Sequence, residues 1–471
     1  MDSDVKHKCG VFGVWGAADS GHVTYTALYA QQHRGQESAG IAAVDETGQL
    51  KTHTGMGLVA EVFDQATLDR LQGTAAIGHN RYSTAGASHC NNAQPLMENY
   101  IGGQVAVAHN GNLINAGLLR GEYEKRGHIF HTSSDTELMI HLLASHHLEK
   151  DDPLLETLQH LQGAYSCVFL FPDRIEAVRD PWGWRPLVLG YLPEGHPCVA
   201  SETVALDATG ATFEREIDPG EIVTLSNEGV SSRRFAEPQT PAYCVFEHVY
   251  FANPSSKVFG ETVQLVRERL GEQLAAESPV EADCVIPMPD SGRSAALGYA
   301  RASGIPYREG IVPNRYVGRT VIKPTQAQRD TAVHLKLNTV AEVMEGNRIV
   351  VIDDSIVRGT TTRGKMDALR RAGAKEIHLR ISSPPIRHAC YFGIDFPDES
   401  KLVAHNRSVE EIRDFLGVDS LHFLSIDGML SCVHHSPNHY CTACWSGQYR
   451  IEPSEPVNKL DLERDQLKMF T

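Results

Sequence analysis

The clearest hydrophobic pattern in the chain is a short apolar run that stops at two adjacent acids. Ile349 to Ile352 are consecutive β-branched apolar residues, as is typical of a parallel strand covered on both faces. Residues 361–372 carry helix-forming side chains and end before Gly373, a residue that favours a helix end. Residues 377–381 are apolar enough to form the next strand. The pattern therefore predicts a β-α-β unit and an α/β fold.

The loop of this unit has the chemistry of a polyanion site. It follows the strand and precedes the helix, where unpaired backbone N–H groups and the helix dipole favour a phosphate. Asp353 and Asp354 repel phosphate, so we expect them to hold ribose hydroxyls or a divalent metal that bridges to a second phosphate. A phosphorylated ribose with a pyrophosphate at C1 satisfies both demands. The alternative is an ordinary acidic turn after a strand.

Two other nucleotide motifs come close to a match and fail. Residues 359–366 fit Gly-x4-Gly-Lys, but Met366 stands where a P-loop needs a hydroxyl for magnesium, and the Gly-Lys pair falls inside the predicted helix. Residues 55–60 partly match the glycine-rich motif of dinucleotide-binding folds. The preceding residues 50–54 are too polar for a buried strand, and no second β-α-β half follows. The sequence therefore predicts neither site.

A second candidate centre lies near the start of the chain, at Cys9. Residues 1–8 are polar, mixed in charge and without the apolar region of a signal peptide. We expect them to be a propeptide, because their removal would give Cys9 a free α-amino group, which titrates at about 7.7–8.0 and can act as the base for the thiol. The alternative for a single cysteine is a small buried hydrophobe.

Composition and charge limit the function classes. Acidic residues outnumber basic ones by 59 to 43, and the net charge of −16 argues against a nucleic-acid surface. No apolar run approaches the length of a membrane span, so we expect a cytoplasmic protein without disulfides and with no membrane partner. A polar, proline-containing segment at 235–241 predicts a boundary between domains 9–235 and 236–471, the latter with a short polar tail.

Motifs downstream of Cys9 resemble the class II glutamine amidotransferases. The matching segments, in the order of that family, are Gln32–Ser38, Gly78–Gly86, His109–Asn112 and Ser134–Glu137. The resemblance implies an N-terminal-nucleophile hydrolase fold, an αββα sandwich, in which Cys9 attacks the side-chain amide of glutamine. His33, His79 and His109 are expected to be packing or hydrogen-bonding residues, because the terminal amine already serves as the base.

The same resemblance assigns the remaining glutamine-site residues. Arg81 is expected to pair with the α-carboxylate of glutamine and Asp135 to accept from its α-ammonium. The Asn110 amide and the Gly111 N–H are expected to stabilise the oxyanion. Arg34 resembles part of a lid that closes over glutamine; a solvated surface arginine is the alternative.

The loop after Ile352 resembles the phosphoribosyl-pyrophosphate (PRPP) loop of type I phosphoribosyltransferases, which implies a doubly wound sheet in the second domain. The resemblance implies that Ser291, Asp353 and Asp354 hold Mg²⁺. It also implies a mobile lid at 314–338. The further PRPP-binding residues that it implies are Ser355, Arg358, Gly359, Thr360, Thr361, Arg315, Arg319 and Lys323.

Together, the two halves resemble the amidophosphoribosyltransferase family. That resemblance implies the conversion of glutamine, PRPP and water to 5-phosphoribosylamine, pyrophosphate and glutamate, the first committed step of purine synthesis. It further implies a homotetramer that is inhibited by purine nucleotides. A PRPP-sensing regulatory protein and another class II amidotransferase are the alternatives.

Four cysteines remain to be explained. Cys441 and Cys444 form a C-x-x-C pair that by spacing fits zinc, a redox site or a cluster. One branch of the family carries a 4Fe-4S cluster, and Cys244, Cys390 and this pair match its ligand positions. All-thiolate ligation suits iron and sulfur, while zinc stays the alternative. The other cysteines apart from Cys9 are expected to pack in the core: Cys90, Cys167, Cys198, Cys284 and Cys432.

Overall fold

We describe a computed structural model of the chain, which covers residues 9–82, 89–147, 150–313, 337–394, 396 and 398–452. Up to Arg234 the described residues form two antiparallel sheets with helices outside them. The strands are β1 (Gly10–Trp15), β2 (Ser38–Val44), β3 (Leu50–Met56), β4 (Ala75–Arg81), β5 (Leu96–Tyr100), β6 (Gly103–Leu113), β7 (Gly163–Phe171), β8 (Arg174–Arg179), β9 (Val188–Tyr191), β10 (Pro197–Ala200), β11 (Thr212–Glu216), β12 (Glu221–Ser226) and β13 (Gly229–Arg234). The helices are α1 (Ser20–Ala30), α2 (Val59–Val62), α3 (Gln65–Arg70), α4 (Ala116–Lys125), α5 (Asp135–His146), α6 (Pro153–His160) and α7 (Thr203–Thr209).

The two sheets pack face to face. One runs in the order β11-β9-β10-β1-β4-β2-β3 and the other in the order β13-β12-β8-β7-β6-β5. Val11 and Ile77 of the first sheet share a core with Val168 and Leu170 of the second. Because β1 is central in its sheet and covered on both faces, every one of its residues is buried and its sequence does not alternate.

Helices cover the outer faces of both sheets. Leu28 of α1 and Leu206 of α7 pack on the first sheet. Leu119 of α4, Leu142 of α5 and Leu158 of α6 pack on the second. This arrangement confirms the αββα sandwich that the sequence predicts.

From Tyr243 onward, the described residues form a parallel sheet with helices on both faces and several short ladders. The strands are β14 (Tyr243–Cys244), β15 (Lys257–Val258), β16 (Glu261–Thr262), β17 (Cys284–Pro287), β18 (Ile311–Pro313), β19 (Leu337–Thr339), β20 (Arg348–Asp353), β21 (Glu376–Ile381), β22 (Ser420–Phe423) and β23 (Tyr440–Cys441). The helices are α8 (Val263–Glu277), α9 (Arg293–Ser303), α10 (Ala341–Met344), α11 (Thr360–Arg371), α12 (Val409–Leu416), α13 (Ile426–Ser431) and α14 (Ala443–Ser446).

The parallel sheet, in the order β17-β20-β21-β22, is doubly wound. Leu270 of α8 and Tyr299 of α9 pack with Val350 on one face. Met366 of α11 and Leu416 of α12 pack on the other face with Ile349 and Val351. The predicted β-α-β unit is therefore confirmed as β20, α11 and β21.

The rejected nucleotide motifs lie where the sequence places them. Lys365 lies inside α11, away from its N-terminus. Gly55 lies in β3, an edge strand that pairs antiparallel with β2, so no β-α-β unit surrounds it. No helix in the described ranges combines the length and the apolar character that crossing a bilayer requires.

Candidate functional site

Cys9 stands immediately before the central strand β1. Its side chain is 5% exposed, and its Sγ donates to the Tyr82 carbonyl at 3.6 Å. Burial raises the pKa of the thiol, and the nearby Arg81 and Arg34 guanidinium groups oppose that rise only in part. The thiol is therefore a weak nucleophile unless a base takes its proton.

Asn110 and Gly111 lie on β6 and reach the Cys9 end of β1 through β4. Val11 of β1 pairs with His79 of β4, and the His79 Nε2 lies 3.0 Å from the His109 carbonyl oxygen. This bridge connects the strand that begins beside Cys9 to the strand that carries Asn110. The His79 side chain therefore makes a hydrogen-bond contact between strands, which agrees with the expectation for this residue.

Asn110 carries an unsatisfied donor. Its side chain is 3% exposed, and its Nδ2 has no hydrogen-bond partner among the described residues. A buried amide without a partner costs about 1–3 kcal/mol, which makes it a good donor for an atom that arrives with a substrate. Gly111 has φ +155°, and a Cβ there would meet the Ala164 carbonyl oxygen at 1.9 Å, so only glycine fits.

Two charged side chains, Arg81 and Asp135, lie near these residues. Arg81, at the end of β4, donates through Nη1 to Glu37 at 2.8 Å. Asp135, at the start of α5, accepts from the Leu113 N–H at 3.0 Å and lies 3.5 Å from the His109 Nδ1. Burial alone would raise the pKa of Asp135, but the attraction of His109 and these hydrogen bonds outweigh it, and the pKa is lowered. A cation thus lies near the Cys9 thiol, and an anion lies beside His109 on the strand that carries Asn110.

Arg34 differs from both sequence interpretations, a lid and a solvated arginine. Its side chain is 1% exposed and salt-bridged to Glu202 and to Glu247 at 2.9 Å. Its Nε donates to the Cys9 carbonyl at 2.8 Å. The guanidinium therefore fixes the backbone of Cys9, and each of its three nitrogens donates to a protein acceptor.

The carboxylate partners of Arg34 were not predicted from the sequence. Glu247 also accepts from Arg185 at 3.1 Å, and Arg185 donates to the Phe392 carbonyl at 2.8 Å. All of these charged side chains are at most 2% exposed. The only signal in the sequence was that Glu247 lies close to Cys244. In the structure Glu247 begins a π-helix, Glu247–Phe251, an element that often marks functional sites.

The acid pair lies at the carboxyl end of β20, as predicted. Asp353 and Asp354 are 6% and 4% exposed. The Asp354 N–H donates to Asp353 Oδ1 at 3.0 Å, and Ser355 Oγ donates to Asp354 Oδ1 at 2.5 Å. Burial raises the pKa of Asp353 to about 7, with Lys365 opposing the rise and Asp354 adding to it. A divalent cation would relieve the cost of holding two acids here.

Several predicted PRPP-site residues line this end of the sheet. Ser291 lies between β17 and α9, and β17 pairs in parallel with β20. The N-cap of α11 is Gly359, with φ +77°, which has no side chain to cap the first turn. Ser355, Arg358, Thr360 and Thr361 flank it. Arg315, Arg319, Lys323 and most of the predicted lid lie outside the described residues.

The four matched cysteines come from distant segments and share one region. Cys244 pairs with Cys441 in the parallel ladder of β14 and β23. Burial raises the pKa of Cys444, and Cys390, Cys441 and Cys244 add to that effect. All four are thiols without disulfides. In the ranges that the structure covers, no group of three or more His, Cys, Asp or Glu is spaced to hold a metal ion. An all-thiol donor set of this kind suits a soft metal centre.

One of the cysteine expectations is wrong. Cys90 is exposed at the start of a short 3-10 helix, Cys90–Asn92, and does not pack in a core. Its neighbours in sequence are polar, which gives a short helix at the surface nothing apolar to bury. Cys167, Cys198, Cys284 and Cys432 are buried as expected.

Comparisons with known proteins agree along the whole chain. A model of the glutamine amidotransferase domain matches residues 79–208. The chain is 49% identical over 458 residues to amidophosphoribosyltransferase 1, chloroplastic, of Arabidopsis thaliana, covering 96% of this chain and 80% of the relative. It is 48% identical over 470 residues to the amidophosphoribosyltransferase of Methanothermobacter thermautotrophicus, covering 98% of each. The solved glutamine PRPP amidotransferase from Bacillus subtilis, complexed with ADP and GMP, aligns with a TM-score of 0.89 and 44% identity, over 97% of this chain and 100% of that one.

The buried position of Arg34 generates a stability prediction. Arg34→Met should lower the free energy of unfolding by about 3–5 kcal/mol, because it leaves Glu202 and Glu247 buried without the cation that they share. Urea unfolding at neutral pH measures the change. The matched control is Arg301→Met, which removes an arginine whose side chain is 56% exposed and paired with Glu268 and Glu272. This control should leave the unfolding free energy nearly unchanged. Equal effects of the two variants would contradict the assignment of Arg34 as a buried structural residue.

Proposed function

The chain belongs to the amidophosphoribosyltransferase family, and we propose that its two sites divide that family's reaction between them. Glutamine is hydrolysed at the Cys9 site, and the ammonia released there attacks C1 of PRPP at the Asp353 site. The products are 5-phosphoribosylamine, pyrophosphate and glutamate, at the first step of purine synthesis.

The unsatisfied Asn110 donor is the observation that best supports the glutamine half. When the Cys9 sulfur bonds to the amide carbon of glutamine, the carbonyl oxygen gains negative charge. A preformed donor aimed at that charge stabilises the transition state more than the ground state. Arg81 and Asp135 supply the charges that suit the α-carboxylate and α-ammonium of the substrate. We propose that processing before Cys9 supplies the base, as its α-amino group.

The acid pair supports the PRPP half. Loss of pyrophosphate leaves positive charge at C1, so Asp353 and Asp354 act by holding ribose hydroxyls and metal and not by proton transfer. The residues that would hold Mg²⁺ are Ser291, Asp353 and Asp354, and the metal, when bound, neutralises the leaving pyrophosphate. The first turn of α11 suits the 5-phosphate, together with Ser355, Arg358, Gly359, Thr360 and Thr361.

We also propose a 4Fe-4S cluster on Cys244, Cys390, Cys441 and Cys444. The support is the convergence of four free thiols from three distant segments. The cluster would supply a covalent tie between those segments.

Three further expectations stay predictions: the domain boundary near residue 235, the homotetramer and the cytoplasmic location. Inhibition by purine nucleotides gains support from the Bacillus subtilis relative, which is described as complexed with ADP and GMP.

The first test of function concerns Asn110. Asn110→Ala should lower kcat for glutamine about 10²–10³-fold, because one oxyanion donor is lost. It should not lower the thermal midpoint of unfolding, since the Nδ2 makes no bond in the described structure that the substitution could remove. Ammonia-dependent synthesis should persist, as it also should in Cys9→Ala, which abolishes glutamine use.

The matched control for this test is Asn115→Ala. The Asn115 Nδ2 donates to the His160 carbonyl at 2.9 Å, so this variant should lose about 1–3 kcal/mol of stability and keep its kcat for glutamine. A normal kcat in Asn110→Ala would refute the oxyanion assignment.

Intact-mass analysis of active protein tests the processing step, and an active chain that retains residues 1–8 would exclude the terminal amine as the base.

The second test concerns the acid pair. The double variant Asp353→Asn and Asp354→Asn should form no phosphoribosylamine from either nitrogen source, because ribose and metal lose their ligands. It should also lose any stimulation of glutaminase by PRPP, while basal glutaminase persists. The fold should hold, since the change removes a buried carboxyl whose charged form burial disfavours. Asp367→Asn, on the exposed side of α11, is the control and should behave as wild type. PRPP stimulation at normal affinity in the double variant would overturn the site assignment.

The third test concerns the cysteines. Protein isolated without oxygen should be brown and contain iron and inorganic sulfide, and it should lose both in air. Cys441→Ser should lose metal and stability together, because metal binding energy is folding energy here. Cys432→Ser is the control: its Sγ bonds the Gly428 carbonyl at 3.2 Å outside the set, so iron should be retained. Stoichiometric zinc without sulfide would replace the cluster by the zinc alternative.

A further inference from the structure

The strand that carries Asn110 and Gly111 is in direct contact with the segment that carries Cys390. Gly393 has φ +96°, and a Cβ on it would lie 3.0 Å from the carbonyl carbon of Gly111 and 3.1 Å from its Cα. Two glycine backbones therefore meet without side chains between them. A side chain at position 393 would therefore press on the Gly111 backbone, and the neighbouring segment would have to shift to admit it.

Two hydrogen bonds and a ring stack hold this contact in place. Asn112, next to Gly111 on β6, donates from Nδ2 to the Tyr391 carbonyl at 2.9 Å. Arg185 donates to the Phe392 carbonyl at 2.8 Å. The Phe392 ring stacks on Trp184, which is fully buried, with centroids 4.3 Å apart and an angle of 14° between the planes. Three consecutive residues of the second half thus dock on the first.

The docked segment is short and begins at a thiol. The Phe392 N–H donates to the Cys390 Sγ at 3.4 Å, so the backbone that meets Gly111 also closes around the sulfur. The segment has little freedom to move at one end without moving at the other. The glycine contact and the thiol form one rigid turn.

We propose that residues 391–393 position the oxyanion strand, so that glutamine cleavage depends on their docking against Gly111. Gly393 is a positioning residue: it touches no substrate and acts by fixing the backbone whose N–H is the proposed oxyanion donor. This inference rests on the proposed glutamine chemistry. It adds that the Cys390 segment governs this chemistry, and that the ammonia-dependent reaction at the acid pair is independent of it.

The dependence has a kinetic signature. Displacement of Gly111 weakens an interaction that forms only as the carbonyl oxygen becomes charged, so kcat should fall while KM for glutamine stays close to wild type. Alkylation of Cys9 by iodoacetamide is a useful contrast. There the sulfur forms a bond to carbon as iodide leaves with its electron pair, and no oxyanion appears. The rate of alkylation should therefore not change.

Gly393→Ala tests the proposal in the full-length protein. The added methyl should push the segment away from Gly111 and lower kcat for glutamine about tenfold or more, with unchanged KM, iodoacetamide rate and ammonia-dependent activity. Gly417→Ala is the matched control, since Gly417 also has a positive φ, +69°, but a Cβ there meets nothing within 4 Å. It carries a similar backbone strain and should keep wild-type kcat for glutamine.

Two results would overturn the proposal: a normal kcat for glutamine in folded Gly393→Ala, or a parallel fall in the alkylation rate, which would place the defect at the thiol. If Gly393→Ala does not fold, Asn112→Ala replaces it, because it removes only the bond to Tyr391. This variant should also have a lowered kcat for glutamine and an unchanged rate of Cys9 alkylation. A normal kcat would again refute the inference. Failure of the proposed function is separately visible, since wild type would then show no glutaminase that Cys9→Ala abolishes.

Discussion

A buried cluster of four charged side chains is the interaction on which the arrangement of the chain depends. Arg34 and Glu202 come from the first sandwich, and Glu247 comes from the π-helix of the second half. Arg185 completes the set by pairing with Glu247. An isolated charge in such a place costs several kcal/mol, so each member requires the others to stay in position. Few relative placements of the two halves satisfy all four groups at once.

The same cluster touches both sides of the proposed chemistry. One guanidinium, that of Arg34, holds the Cys9 carbonyl, and the other, that of Arg185, holds the Phe392 carbonyl. The nucleophile and the Cys390 segment are therefore fixed by charges that neutralise each other. A buried ion cluster gives little net stability compared with an apolar core. What the cluster does here is hold two backbone carbonyls, those of Cys9 and Phe392, from one set of buried charges.

Local signals account for what could be predicted from the sequence. One short stretch of about thirty residues contains strand β20, its acid pair and the helix that ends before Gly373. The αββα sandwich was predicted from a family resemblance whose motifs each lie in one short segment. Arg34 could not be placed, because its carboxylate partners lie 168 and 213 positions away in the chain. A buried arginine and an exposed one have the same local sequence. Cys90 is a different case, because the polar residues beside it in the sequence already indicated a surface position.

The roles of single atoms were also beyond the sequence. The motif around His109 predicts a donor at Asn110, but only the folded structure shows a buried Nδ2 without an acceptor in the described ranges. Similarly, Gly393 follows Phe392 in a segment that was notable for its cysteine. Its contact with Gly111 depends on how a loop of the second half meets strand β6 of the first.

The two-residue ladder of β14 and β23 carries a consequence for the order of folding. Cys244 and Cys441 are partners in register although roughly 200 positions separate them. Closing so long a loop is slow, and two residue pairs in a parallel ladder contribute little stabilisation until both flanking regions are packed. All strands of the antiparallel sandwich and of the parallel sheet precede Cys441 in the sequence, so both sheets can form during synthesis before Cys441 is available. The four thiols can therefore come together only late in synthesis, and Cys244 is made almost 200 residues before its ladder partner Cys441.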